Sequence, residues 1–139
     1  MKNFTHTVAA VQEASARALV DFAPLLQSSP LLIRDAVPAL ASLQQHRDGA
    51  IRTNATICLC KLAPFIASSP QKSVLLLSGF LRMLKDPFVP SRLAAVRGLY
   101  SSVSVFTPVQ SAMQLLPGLA PLTIDQDCNI REMALQLLR

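Results

Sequence analysis

Two cysteines one residue apart, an Asn-Ala-Thr triplet and an arginine at the head of an apolar run crowd into residues 51–66, IRTNATICLCKLAPFI. Paired thiolates could hold a soft metal or cycle between redox states, the triplet could accept a glycan, and the arginine could meet a phosphate. Spacing decides among these. The run has the periodicity of a helix, on which two residues turn through about 200°, so Cys58 and Cys60 face nearly opposite ways and cannot chelate one ion together. They read as small apolar fillers. Asn54-Ala55-Thr56 falls inside that helix, and neither it nor the second sequon, Asn3-Phe4-Thr5, is expected to carry a glycan in a chain that opens without an export signal. Asn54 is expected to bond a neighbouring turn. Cys58, Cys60 and Cys128 are an odd number and are expected to stay reduced.

The remaining inventory is thin. His6 and His46 are the two histidines, one near a terminus and one in a turn, and no Ser-His-Asp or Cys-His set can be assembled around them. Asp125 and Asp127 flank one residue as in a calcium loop, but no Glu or Gly follows at the required spacing. Asp86, Asp125 and Asp48 fall in turns. The sequence therefore predicts no catalytic residue, no metal and no cofactor.

What the chain must build is clearer. It has 139 residues, enough for one domain with a real core. About half are apolar, yet there is one Tyr, no Trp and only four Gly, so Leu, Ala, Val and Ile do the packing and helices are expected. Residues 98–124 carry no charge, but Pro108, Pro117 and Pro121 and eight Ser, Thr or Gln residues argue for two buried helical segments with a break rather than a membrane span. The net charge of +5 permits an acidic partner, although 13 basic residues spread along the chain are no nucleic-acid footprint by themselves.

An internal repeat organises the chain. Val11-Gln12-Glu13-Ala14-Ser15, Ile51-Arg52-Thr53-Asn54-Ala55, Ser91-Arg92-Leu93-Ala94-Ala95 and Ile130-Arg131-Glu132-Met133-Ala134 align at offsets of 40, 40 and 39 residues. In that frame Leu19, Leu59, Leu99 and Leu138 coincide, as do Ala23, Ala63 and Val103, and Pro24 falls over Pro64. These mark one face of a recurring "B" helix starting near residues 8, 50, 91 and 128. Between them lie "A" helices over 31–45, 71–85 and 109–123, opened by Pro30, Pro70 and Pro108 behind Ser-Ser, Ser-Ser and Thr107, a capping hydroxyl followed by a first-turn proline. Helix pairs recurring at about 40 residues predict an all-α HEAT-repeat α-solenoid, a right-handed superhelix of antiparallel helix pairs with about three and a half repeats. It is expected to be a single domain over 1–139, a fragment or stand-alone piece of a longer solenoid.

HEAT spacing appears in Pro117, Asp125, Ile130 and Arg131, and Pro38 precedes Arg52 as Pro117 precedes Arg131. Ser78 replaces the proline of the middle repeat. His46 stands where the first repeat should have an Asp, for which Asp48 could substitute. Arg52, Arg92 and Arg131, each at a B-helix start, are expected to form a structural ladder with Asp86 and Asp125.

Three stretches, IRTNATICLCKLAPFI, LKDPFVPSRLAAVRGL and LLPGLAPLTIDQDCNIRE, resemble the HEAT-repeat region of the Scy-like (N-terminal kinase-like) pseudokinase family, over roughly residues 9–139. The turn from Asp86 to Arg92, DPFVPSR, is the most specific part, and Cys60 is a departure, since family members usually carry Gly there. The resemblance implies a non-catalytic scaffold working as an adaptor in traffic between Golgi and endoplasmic reticulum, cytoplasmic or Golgi-associated, with coat or trafficking components as partners. Some members are linked to export of transfer RNA. The Gly-rich loop and Asp-Phe-Gly of a kinase-like domain are not in this sequence.

Two further expectations concern partners. Arg17, Arg97 and Lys61 are candidates to line the concave side as a spaced basic stripe, suited to an acidic peptide, lipid headgroups or phosphates. A protein partner is favoured over RNA, because Phe4, Phe22, Phe65, Phe80, Phe88, Phe106 and Tyr100 are expected mostly at buried positions, leaving no stacking platform. Leu135, Leu137 and Leu138 on the last B helix have no following repeat to cover them, and self-association through Leu135 and Leu138 is expected.

Overall fold

Proline explains why some of these helices are regular and others are not. Pro38 and Pro117 lack an amide hydrogen, and each ring crowds the carbonyl four residues back, at Arg34 and Met113. In the computed structural model, which describes residues 9–26, 32–66 and 70–139, both carbonyls lie in single π-helical turns, Leu32–Ala36 and Ser111–Leu115. The wider turn relieves the clash that a regular helix would keep. Ser78 takes that place in the middle repeat, and there the A helix is uninterrupted.

The helices, in chain order, are α1 (Ala9–Leu26), α2 (Val37–Leu43, continuing its π turn), α3 (Gly49–Ile66), α4 (Pro70–Met83) and α5 (Val89–Ser102). A 3₁₀ turn, Val103–Val105, leads to α6 (Pro108–Gln110), the second π turn, α7 (Leu116–Leu119) and a 3₁₀ turn at Ala120–Ile124, which together make the last A element. α8 (Cys128–Leu137) closes the series. No strand occurs among the described residues. The fold is an all-α solenoid: α1, α3, α5 and α8 stack as one layer of B helices, while α2 leans on α3, and α4 on α3 and α5.

One core runs through both layers. Leu40, Leu59, Leu62, Leu76, Leu77, Phe80, Leu99, Leu119 and Ile130 are fully buried, each contributing about 1.5–3 kcal/mol relative to an exposed side chain. Of the aligned frame, Leu19, Leu59, Leu99, Ala23 and Ala63 are buried. Val103 is exposed, because α5 ends at Ser102 and the chain tightens into a 3₁₀ turn that rotates the next side chain outward. Leu138 is also partly exposed, being just past the end of α8.

Thr107 caps the last A element in a capping box: its hydroxyl accepts from Gln110 N at 3.2 Å, and Gln110 Oε1 accepts from Thr107 N at 2.9 Å. The serine pairs before Pro30 and Pro70, and Pro30 itself, lie outside the described residues. Pro24 and Pro64 sit within α1 and α3. No helix among the described residues is long and apolar enough to cross a membrane.

Candidate functional site

The inter-helix turns are held by the arginines at the starts of the B helices. Arg52 donates through Nε and Nη2 to both oxygens of Asp86, at 2.6 and 2.9 Å, and through Nη1 to its own turn at the carbonyls of His46 and Arg47. Arg92 repeats this one helix pair later, with Asp125 at 2.8 and 2.9 Å and the carbonyls of Asp86 and Pro87. Each guanidinium therefore ties its own turn to the next with the planar fork that suits a carboxylate. Arg131 donates to the carbonyls of Asp125 and Gln126 and makes no ion pair among the described residues.

The two carboxylates respond to their surroundings. Burial pushes Asp86 upward, but hydrogen bonds from Arg52 and the Phe88 amide, with the nearby positive charges, outweigh it and hold Asp86 below the ordinary carboxylate range. Arg92 is the main cause of the same depression at Asp125, against a smaller opposing effect of burial. Neither aspartate is left available as a catalytic acid or base.

In the first repeat, His46 Nδ1 accepts from Asp48 N at 3.0 Å, as Asp86 Oδ1 accepts from Phe88 N and Asp125 Oδ1 from Asp127 N. The imidazole thus supplies the turn's acceptor, whereas Asp48 accepts from Ala50 N at the head of α3. Asn54 departs from its expected role: its amide donates to Glu13 of α1 at 2.9 Å, not to a turn. It lies on the flank of α3 that faces the preceding B helix.

Cys58 and Cys60 line different grooves. Burial raises both thiols, Cys60 to about 12, so neither supplies a thiolate at neutral pH. Among the described residues no cluster of His, Cys, Asp and Glu could hold a metal ion. His6 and Asn3 lie outside the described residues.

Two grooves run along the B layer. Between α1 and α3, a groove of about 400 Å³ is lined by Arg17 and Lys61 but also by Glu13 and Asp21. Arg17 pairs with Glu13 one turn back on its own helix. Between α3 and α5, a groove of about 570 Å³ carries Lys61 and Arg97 above an apolar lining that includes Ile57, Cys60, Leu93 and Ala94. Lys61 thus belongs to both grooves, while Arg17 and Arg97 share neither.

Glu13, Asp21, Ile57 and Leu93 were not singled out by sequence reasoning. Their signal was present: Thr53, Ile57 and Lys61 recur at four-residue spacing off the buried stripe. The aromatics also need correction. Phe80 and Phe106 are buried and Phe65 partly so, but Phe22, Phe88 and Tyr100 are exposed. Phe22 and Tyr100 each sit one residue from the buried Ala23 or Leu99, about 100° around the helix. Neither exposed ring, nor that of Phe88, lines a B-layer groove. Phe4 lies outside the described residues.

No protein-family model matches the chain. Among characterised sequences, it is 40% identical over 107 residues to "Protein kinase domain-containing protein ppk3" of Schizosaccharomyces pombe, covering 77% of this chain and 17% of that protein. It is 30% identical over 124 residues to "Probable inactive serine/threonine-protein kinase scy1" of Dictyostelium discoideum, covering 89% of this chain and 15% of that protein. The chain thus spans less than a fifth of either relative's length. Among solved structures, Cex1p superposes with a TM-score of 0.81 at 26% identity, over 98% of this chain and 26% of that one. By sequence and fold together, the chain is homologous to the helical-repeat region of Scy-like (N-terminal kinase-like) proteins.

Proposed function

We propose that the chain is a non-catalytic protein-interaction scaffold of the Scy-like kind, engaging coat or trafficking proteins of Golgi and endoplasmic-reticulum vesicle traffic through its B-helix layer, in the cytoplasm or at the Golgi surface. In this reading it is one HEAT-repeat domain, and Arg17, Lys61 and Arg97 are contacts for a protein partner. The observation that carries the reading is the charge pattern of that layer: Glu13 and Asp21 interrupt the basic residues Arg17 and Lys61. A phosphate backbone favours an unbroken positive track, whereas a protein partner accommodates a mixed one. The relative described as a probable inactive kinase points the same way.

The test is direct binding of the purified chain to purified coat complexes and, separately, to transfer RNA across a salt series, with Arg17→Glu, Arg97→Glu alongside. Coat binding that persists at physiological salt is the expected result. Transfer-RNA binding that survives physiological salt and disappears in the double variant would replace the scaffold with an RNA adaptor.

A further inference from the structure

We infer that the groove between α3 and α5 docks an acidic peptide that places a large apolar side chain between two carboxylates; this rests on the protein-scaffold reading and names the chemistry of its partner. The groove differs from its neighbour in charge. Lys61 and Arg97 line it and no carboxylate does, whereas Glu13 and Asp21 line the groove between α1 and α3. Neither Lys61 nor Arg97 makes an ion pair among the described residues. Both are exposed, and beneath them Ile57, 39% exposed, and the half-buried Leu93 and Cys60 present apolar surface to solvent.

Backbone geometry shapes the floor. A Cβ at Gly98 would collide with the Cys60 sulfur and come within 2.6 Å of the Phe80 ring. The absent side chain lets Cys60 sink between the helices, where its thiol approaches the Ala94 carbonyl at 3.7 Å. The resulting volume of about 570 Å³ falls within the range of about 300–1,000 Å³ typical of binding pockets.

The cations are staggered. In the repeat frame Arg97 aligns with Ile57, and Lys61 with Ser101, which puts the two cations on opposite walls with an axial separation of up to one helical turn, about 6 Å. Carboxylates four residues apart on a helix, or two apart on a strand, have nearly that separation. An apolar residue between them then lies over Ile57 and Leu93. Phosphates of RNA would meet the same cations but leave this apolar floor unused, and no aromatic side chain lines the groove for base stacking.

The test pans a displayed library of random peptides against the intact chain, then measures the enriched peptides by fluorescence anisotropy against the wild type, Lys61→Glu, Arg97→Glu and Ile57→Asp, each checked for helicity by circular dichroism. Enrichment of peptides pairing Glu or Asp with Leu, Ile or Phe is expected, with binding weakened about tenfold by the double charge reversal, the scale of two rim ion pairs lost, and comparably by Ile57→Asp. Enriched peptides without acidic residues, no enrichment at all, or acidic peptides that bind folded Lys61→Glu, Arg97→Glu as well as wild type would overturn the groove assignment. The last of these would leave the scaffold reading intact. Labelled transfer RNA that displaces the peptides at physiological salt and is lost with the charge reversal would overturn both.

Discussion

Replacing Arg92 with alanine tests whether the turns are fastened to one another or only to themselves. Arg92 makes four hydrogen bonds: two at 2.8 and 2.9 Å to Asp125, and two at 2.8 and 3.2 Å to the carbonyls of Asp86 and Pro87. The paired side chains are 14% and 7% exposed, close to the buried case, in which removing one partner costs about 3–5 kcal/mol, and far from the surface case of about 0.2–1 kcal/mol. Arg92→Ala should therefore lower stability by about 3 kcal/mol. Arg131→Ala removes only carbonyl bonds of its own turn and should cost about 1 kcal/mol. Urea unfolding followed by far-ultraviolet circular dichroism suits a chain with one Tyr and no Trp. With a slope of about 2 kcal/mol/M, the two midpoints should differ by about 1 M. A cycle of Arg92→Ala, Asp125→Ala and the double variant should give a coupling of about 2 kcal/mol. Equal midpoints for the two arginine variants, or a cycle additive within about 0.5 kcal/mol, would refute the reasoning.

Asp86 and Asp125 are depressed on folding, so their contribution is fully present above the unfolded carboxylate value near pH 4 and fades as pH falls through their lowered values; Asp125→Asn should flatten that acid limb in a pH series of urea midpoints. Gly98→Ala should destabilise by about 1–3 kcal/mol through overpacking against Cys60 and Phe80, and Cys60→Ala should recover part of the loss in the same unfolding assay. Of the three thiols, exposed Cys128 should react with a disulfide reagent well before Cys58 and Cys60 in native protein, with all three reacting once unfolded. Leu135 is half exposed and Leu138 partly so; analytical ultracentrifugation should show concentration-dependent association that weakens in Leu135→Glu, and a strictly monomeric protein at high concentration would count against it.

Much of the fold was legible because it rests on periodicity. The recurrence of an arginine at B-helix starts, and of leucine and small residues behind it, follows the 40-residue frame, and burial at Leu19, Leu59 and Leu99 depends on little else. Pro38 and Pro117 were legible as recurring A-helix prolines, although the π turn upstream of each is a backbone response that spacing does not reveal. What could not be read was contact across helices. Asn54 finds Glu13, 41 residues away, and Tyr100 turns outward because Leu99 already fills the stripe. His46 was visible as a departure from the Asp pattern, but its role as turn acceptor depends on a ring nitrogen reaching the amide two residues on. The mixed charge beside Arg17 likewise depends on Glu13 and Asp21 sharing a groove with Lys61, a relation across two helices.

The turn fastening has a direction. Every completed rung has a guanidinium leaving one repeat and a carboxylate receiving it on the next, so the stack has unlike ends, as a peptide has an amine and an acid. A two-fold pair through α8 joins like surface to like and brings Arg131 no turn carboxylate of the Asp86 or Asp125 kind. A second copy added head to tail would bring His46 where a rung needs its Asp, so the fastening as built here joins repeats of one chain.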